Sequence, residues 1–564
     1  MKHIAAVLET IYGSKIANQL IGSFTEMIYA IGIRRAIDGN VKMMDARSTL
    51  FVTYTDQLRD TKERPLKKLD NFVINYATHF FSHIHILPYY PSTSDWGFSV
   101  KDYKQVNSDF GDWEDIEALG AKVDTVFDFV LNHTSVQHEW FQKFLAGDPE
   151  YKDFYIEVNP ATDLSAVVRP RSTPLLTRFE SASGPKWIWT TFSADQVDLN
   201  YANPKVLEKM IDVMLFYVSK GAKILRMDAI AYLWKEIGTT CIHHPKTHEI
   251  IRLLRAVLDE VAPDVMLLSE TNVPHKENIS YFGTPDAPEA QMVYQFPLPP
   301  LIAYSILKGE AATITRWAAT LDKPWGKNTY LNFTASHDGV GIRPLDGLVA
   351  PEDIEFMVTK CRKHGGNVSF KQNSDGSESP YELNCNYLDL LAEPDDTQDM
   401  AIDKFILSQA IMLAMPGMPA IYFHSLVGSR NYYKGVEKTG EYRAINREKL
   451  EYDQLVAELD KKGSFRNKVY TRLIHLIDVR KKQKAFSPYA DFSFPEINKH
   501  IFAIYRQAEN GQRILGLHNV SREQVEVSLS AYTKKACDIL TALPYDLSKP
   551  VELQPWGVLW LELT

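Results

Sequence analysis

The stretch GAKILRMDAIAY, residues 221–232, decides how the chain is read. Ala222–Leu225 is a short apolar run after a glycine, flanked on both sides by apolar residues at helical spacing, and it reads as a buried strand. It delivers Arg226 and Asp228 to its C-terminal end, which is where parallel α/β architectures place their chemistry. A second such run, DVMLLS (264–269), ends in Glu270. Two carboxylates at the mouths of two successive strands can act as nucleophile and proton donor on a glycosidic bond. Each acid taken singly also fits a helix N-cap or a solvated charge just past its strand.

Outward from this stretch one rhythm extends over most of the chain. From Thr49, short β-rich runs alternate with amphipathic helices: LFVTY (51–55), IHILP (84–88), TVFDFV (125–130), AKILRM (222–227), VMLLSE (265–270), MVYQF (292–296), YLNFT (330–334) and PAIYF (419–423). Residues such as Leu207, Met210, Ile211, Met214 and Val218 put one apolar stripe on an intervening helix. Eight such units predict an α/β fold of the (β/α)8 type, and a doubly wound sheet gives the same local signals. Residues 1–47, with Ile4, Val7, Leu8 and Ile11 at helical spacing, form a helical preface. The barrel then takes 48–487, with long rim insertions at about 134–200 and 340–400, where binding sites are usually built. After residue 488, alternating runs such as IFAIYRQ (501–507), RILGLHNV (513–520) and GVLWLEL (557–563) predict a small antiparallel β-domain over 488–564.

Composition narrows the function. A net charge of -9 over 564 residues, without a basic run, argues against a nucleic-acid groove. Cys241, Cys361, Cys385 and Cys537 lie far apart, a spacing that favours neither a zinc site nor a disulfide framework. A reducing cytoplasm is the expected location. The N-terminal apolar run is broken at Glu9, too early for a secretion signal. The apolar stretch Phe405–Phe423 contains Gln409, Pro416, Gly417 and Pro419, so it reads as a buried helix, a turn and a strand rather than a membrane span.

Four motifs fall at four strand ends: Asp128-Phe-Val-Leu-Asn132-His133, Arg226-Met-Asp228, Glu270 and His337-Asp338. In this order they resemble the α-amylase family of retaining glycosidases and transglycosidases, glycoside hydrolase family 13. The resemblance implies that Asp228 is the nucleophile, Glu270 the general acid/base and Asp338 the transition-state stabiliser, with His133 and His337 bonding sugar hydroxyls. Arg226 is expected to depress the Asp228 pKa, and burial to keep Glu270 protonated.

The stretches YYPSTSDWGFSVKDY (89–103), RPRSTPLLT (169–177), WTTFSADQVDLN (189–200), SHDGVGI (336–342) and AINR (444–447) resemble the sucrose-phosphorylase branch. WKEIGTTCIHH (234–244), ETNVPHK (270–276) and LVGSRNYYKGVEKTGEYRAINR (426–447) are most similar to the glucosylglycerate phosphorylases within it. This implies that Asp95 and Arg447 clamp a single glucosyl unit, with Phe98 as a platform and Gln196 beside it. Arg171 matches the branch's phosphate-binding arginine and Tyr381 its companion tyrosine; guanidinium suits phosphate because its donors meet two oxygens at once. Asn132 resembles the family's calcium-associated asparagine, but the branch generally works without calcium, so no metal or cofactor is expected. Lys276 and Arg430 are the acceptor-site candidates.

The implied activity is phosphorolysis of 2-O-α-glucosylglycerate to α-glucose 1-phosphate and D-glycerate. Sucrose, sucrose 6-phosphate and glucosylglycerol phosphorylases remain as alternatives, as do a hydrolase or transglucosidase and a non-enzymatic relative. The expected partners are an α-glucoside and inorganic phosphate, with no nucleic acid and no membrane, and a homodimer stays open.

Overall fold

The computed structural model describes residues 1–32, 44–60, 62–171, 173–373 and 377–564. Its centre is a closed barrel of eight parallel strands: β1 (Leu50–Thr53), β2 (His83–Ile86), β3 (Asp124–Val130), β4 (Ala222–Asp228), β5 (Met266–Ser269), β6 (Met292–Tyr294), β7 (Thr329–Asn332) and β8 (Met418–Tyr422). Strand β1 pairs with both β2 and β8, so the barrel has no edge and the doubly wound alternative falls away. Strands β1, β2, β7 and β8 are buried at every residue, the pattern of parallel strands covered on both faces.

The sequence runs overshoot the ladder at their C-terminal ends. YLNFT leaves the sheet after Asn332 and MVYQF after Tyr294, yet Phe333 and Thr334 stay buried. The chain here leaves the ladder to line the site, so its apolar character outlasts its strand pairing.

The helix Pro204–Ser219 starts on an Asn203 cap that accepts from the Lys205 N–H, with proline in its first turn, and buries the stripe Leu207, Met210, Ile211, Met214 and Val218. Two N-terminal helices, Lys2–Tyr12 and Ser14–Gly32, pack on the barrel helices Pro245–Val261 and Pro204–Ser219, with Ile4, Val7, Leu8 and Ile11 buried. Residues 33–43 of the expected helical preface lie outside the described residues. The apolar 405–423 region is the end of the helix Gln398–Ala414, a turn and β8. No helix among the described residues is long and apolar enough to cross a membrane.

Past the barrel, six antiparallel strands form one sheet around an apolar cluster that includes Ile501, Leu515, Leu517 and Leu561. Arg506 fastens this part of the chain to the barrel, donating to the Ala414 carbonyl at 2.9 Å. Arg480, at the end of the preceding helix Phe465–Arg480, donates to the carbonyls of Leu413 and Ala46 at 2.8 and 2.6 Å. Two excursions build the rim. One, between β3 and β4, contains the strand pair His133–Ser135 with Gln196–Asp198 and a hairpin, Leu176–Ser181 with Gly184–Trp189. The other, between β7 and β8, is a three-stranded sheet of Val340–Gly341, Glu378–Asn384 and Asn367–Gln372.

Candidate active site

Register brings the charged groups together. Asp128 on β3 and Leu268 on β5 both pair with Arg226 on β4, so Arg226 projects between the ends of three strands. Its Nη1 donates to Asp128 Oδ1 at 2.6 Å and to Asp228 Oδ1 at 2.9 Å, and its Nη2 lies 3.9 Å from Glu270 Oε1. His85 Nε2 stands 2.8 Å from the other Asp128 oxygen. Ala229, next after Asp228, holds a φ of 51° and donates its N–H to Glu270 Oε2 at 3.1 Å. A left-handed alanine is strained backbone, held here by the groups it joins.

Burial pushes the Asp228 carboxyl well above the usual range; Arg226 pulls against it, while Glu270 and Asp128 add to the rise. Glu270 is raised as well, by burial first and with Arg226 again opposing. This corrects the expectation of a depressed Asp228: Arg226, shared with Asp128, does not offset the desolvation of Asp228 and Glu270, whereas Asp128, which also faces His85, is lowered. Burial thus raises both carboxyls of the Asp228–Glu270 pair. Asp228 accepts directly from Arg226 at 2.9 Å, whereas Glu270 lies 3.9 Å from it, so Asp228 is the better placed of the two to carry charge and Glu270 to carry a proton.

Asp338 is the opposite case. Burial alone would raise it, but Arg443 Nη1 at 2.5 Å, His337 and Arg447 Nη2 at 3.3 Å hold it far below the ordinary carboxylate range. The other two Arg443 contacts, from Nε and Nη2, are a fork on both oxygens of the buried Glu382, at 2.9 and 2.6 Å. Neither Arg443 nor Glu382 was singled out from the sequence. Arg443 lies in the short 3-10 turn Tyr442–Asn446 and Arg447 just past it, and no local spacing shows that both reach Asp338.

The Phe98 side of the cavity is lined by aromatic and imidazole rings, with the Asp95 carboxylate beside them. His337 stacks on Phe98 with ring centroids 5.1 Å apart at 10°, and burial lowers its pKa to about 3. His133 is lowered too, chiefly by burial, with its Nε2 3.1 Å from the Phe98 carbonyl. Gln196 Nε2 donates to Asp95 Oδ2 at 3.1 Å. Asp95 itself sits in a turn with left-handed backbone at Asp95 and Trp96, closed by Gly97, where a Cβ would stand 2.6 Å from the Pro88 carbonyl oxygen.

Asp95, Phe98, His133, Gln196, Arg171 and Tyr381 all line the cavity that holds the three carboxylates. Arg447 does not; it lies beneath, donating to the His337 carbonyl at 2.7 Å and to Asp338. The acceptor candidates are corrected. Arg430 is half exposed and bound to Asp389 at 2.5 Å, and Lys276 is exposed on the helix His275–Asn278, so neither lines the cavity.

Asn132 is turned away from the sugar side, and its Oδ1 accepts from Lys235 Nζ at 2.6 Å. The same ammonium lies 2.7 Å from Asp198, and both charged groups are buried. An ammonium thus joins β3 to the strand pair above it. Removing one partner of a buried ion pair leaves an uncompensated charge, so Lys235→Met is expected to destabilise the fold by about 3–5 kcal/mol. Urea unfolding checks this, and Lys235→Met with Asp198→Asn is expected to recover much of the loss.

Residues 78–339 match the α-amylase catalytic domain. The chain is 46% identical over 532 residues to a glucosylglycerate phosphorylase of Spirochaeta thermophila, covering 92% of this chain and 90% of that one. It is 44% identical over 522 residues to a glucosylglycerate phosphorylase of Escherichia coli, covering 92% and 93%. Among solved structures, the sucrose 6F-phosphate phosphorylase of Thermoanaerobacter thermosaccharolyticum superposes with a TM-score of 0.75 at 23% identity, over 91% of this chain and all of that one, a likeness of fold. By this extent and identity the chain belongs to the α-amylase family, glycoside hydrolase family 13, in the sucrose-phosphorylase-like branch that contains the glucosylglycerate phosphorylases.

Proposed function

We propose that the protein is a retaining glycoside phosphorylase that transfers the glucosyl group of 2-O-α-glucosylglycerate to inorganic phosphate. The observation that carries this reading is one cavity in which Asp228 and Glu270 face each other across Arg226 while Arg171 and Tyr381 stand at its outer wall. Similarity to glucosylglycerate phosphorylases over nine-tenths of the chain supports the choice of substrate.

In this mechanism the glucosyl ring sits against Phe98 with Asp95 and Gln196 at its far end. Asp228 Oδ attacks the anomeric carbon as Glu270 gives its proton to the departing glycerate oxygen. Asp338, held ionised by Arg443 and Arg447, binds sugar hydroxyls more strongly as the ring gains oxocarbenium character. Phosphate then enters, its oxygen forms the new bond to the anomeric carbon, and the bond to Asp228 breaks. Net retention follows from two inversions.

Phosphate competes with a vast excess of water, so it must be held. Arg171 supplies the charge, and its guanidinium acts on the Tyr381 hydroxyl, which is also 3.5 Å from Asn272 Nδ2. Losing a charge-assisted contact is worth about 1.5–3 kcal/mol, so Arg171→Ala is expected to raise KM for phosphate about 10- to 100-fold while slow hydrolysis changes little. Initial rates against phosphate concentration check this, and an unchanged KM would move the anion site elsewhere. The reading as a whole is tested by incubating the protein with glucosylglycerate and phosphate. Glucose 1-phosphate and glycerate are the expected products; free glucose at the same rate with or without phosphate would make the protein a hydrolase.

A further inference from the structure

The loop after β7 links two places. Asp338 opens it at the catalytic centre, and Arg343 emerges five residues later at the mouth. Between them two glycines, Gly339 and Gly341, sit where a side chain would collide. A Cβ on Gly339 would stand 2.5 Å from the Leu383 carbonyl oxygen, and one on Gly341 would stand 2.6 Å from Asn272 Nδ2. Val340 and Gly341 pair with Leu383 and Glu382, and the Ile342 N–H donates to the Tyr381 carbonyl at 3.0 Å. This register brings Arg343 out beside Tyr381. Lys371, on the third strand of the same sheet, pairs with Ser379.

Arg343, Lys371, Arg169 and Tyr381 line an outer cavity that adjoins the catalytic one at Pro170 and Tyr381. Among the described residues its lining carries three cations and no carboxylate. Arg169 Nη2 is buried without a hydrogen-bond partner. The Arg343 charge also reaches the Tyr232 hydroxyl, on the wall of the catalytic cavity. The outer cavity thus concentrates positive charge that its own walls leave unanswered, the electrostatic footprint of an anion.

We propose that Arg343, with Lys371 behind it, holds the carboxylate of the leaving hydroxy acid and so selects an anionic over a neutral acceptor. This rests on the phosphorylase reading above and names the residues that set its acceptor. Phosphate and the leaving acid must occupy the same side of the anomeric carbon in turn. In phosphate the charged oxygens share an atom with the attacking oxygen, and Arg171, on the catalytic cavity, meets them there. In a 2-hydroxy acid the carboxylate stands one bond further out, toward the cavity that Arg343 lines.

The test uses the full chain in the synthetic direction, with glucose 1-phosphate as donor and either D-glycerate or glycerol as acceptor, following phosphate release. Arg343→Ala is expected to raise KM for glycerate roughly 10- to 100-fold while the glycerol rate and KM for phosphate stay within about threefold. Arg343→Lys is expected to recover part of the glycerate affinity, because it restores the charge without the fork. An unchanged ratio of glycerate to glycerol use would overturn the proposal. So would an equal loss on both acceptors, or a rise in KM for phosphate as large as that for glycerate. A native protein that uses glycerol as well as glycerate would instead remove the acceptor reading on which the proposal stands.

Discussion

Asp228→Asn is expected to lower kcat for phosphorolysis by roughly five to six orders of magnitude, the scale of deleting an essential nucleophile. The amide is nearly isosteric but has no charge with which to attack. Among the described residues nothing else in the cavity is placed to replace it: Asp128 is fully buried and bonded to Arg226, Glu270 is the proposed proton donor, and Asp338 is fixed by two arginines. The same substitution is expected to leave the fold as stable as before or slightly more so. The sign follows from the raised Asp228 pKa. A carboxyl that holds its proton more tightly in the folded state than in the unfolded chain makes ionisation near neutral pH a cost to folding. An amide carries no such cost, and Arg226 keeps its 2.6 Å bond to Asp128. Steady-state kinetics and thermal unfolding on one preparation separate the two effects. Residual phosphorolysis above about a hundredth of the native rate would sink the assignment of Asp228 as nucleophile.

That Asp228 was visible in the sequence at all follows from the physics of the barrel. A strand covered on both faces is a short apolar run, and a charged residue at its C-terminal end stands out against it, as Arg226, Asp228 and Glu270 do. The antiparallel sheet past residue 488 was legible for a related reason, because IFAIYRQ and RILGLHNV alternate with the period of a strand. Partners distant in the chain were not legible. Arg443 meets Asp338 and Glu382 only because the chain returns over the rim after β8, and no local periodicity encodes that return. The depressed pKa expected for Asp228 failed on a different point: spacing placed Arg226 beside it but gave no measure of how deeply the carboxyl is buried, and burial is the larger effect. Lys276 and Arg430 were plausible by position alone, whereas Arg343 became a candidate only when the sheet register set it beside Tyr381.

Glu270→Gln is expected to lower kcat on the natural glucoside by about three to four orders of magnitude, toward the upper end of what general acid catalysis supplies. On α-glucosyl fluoride with phosphate, the loss is expected to stay below about tenfold. Fluoride leaves without a proton, and phosphate arrives as an anion that needs little help from a base, so neither half of that reaction depends on the carboxyl. The native enzyme's phosphorolysis is expected to fall as pH rises through the raised Glu270 pKa, because the acid is then spent before the substrate binds. The amide cannot ionise, so the alkaline fall should vanish from the residual activity of the variant. Equal losses on glucosylglycerate and on the fluoride, or an alkaline limb that survives the substitution, would count against Glu270 as the acid. Such a result would shift attention to the other groups that hold or relay a proton on that wall. Tyr232 and Tyr381 are the residues there whose hydroxyls burial keeps protonated.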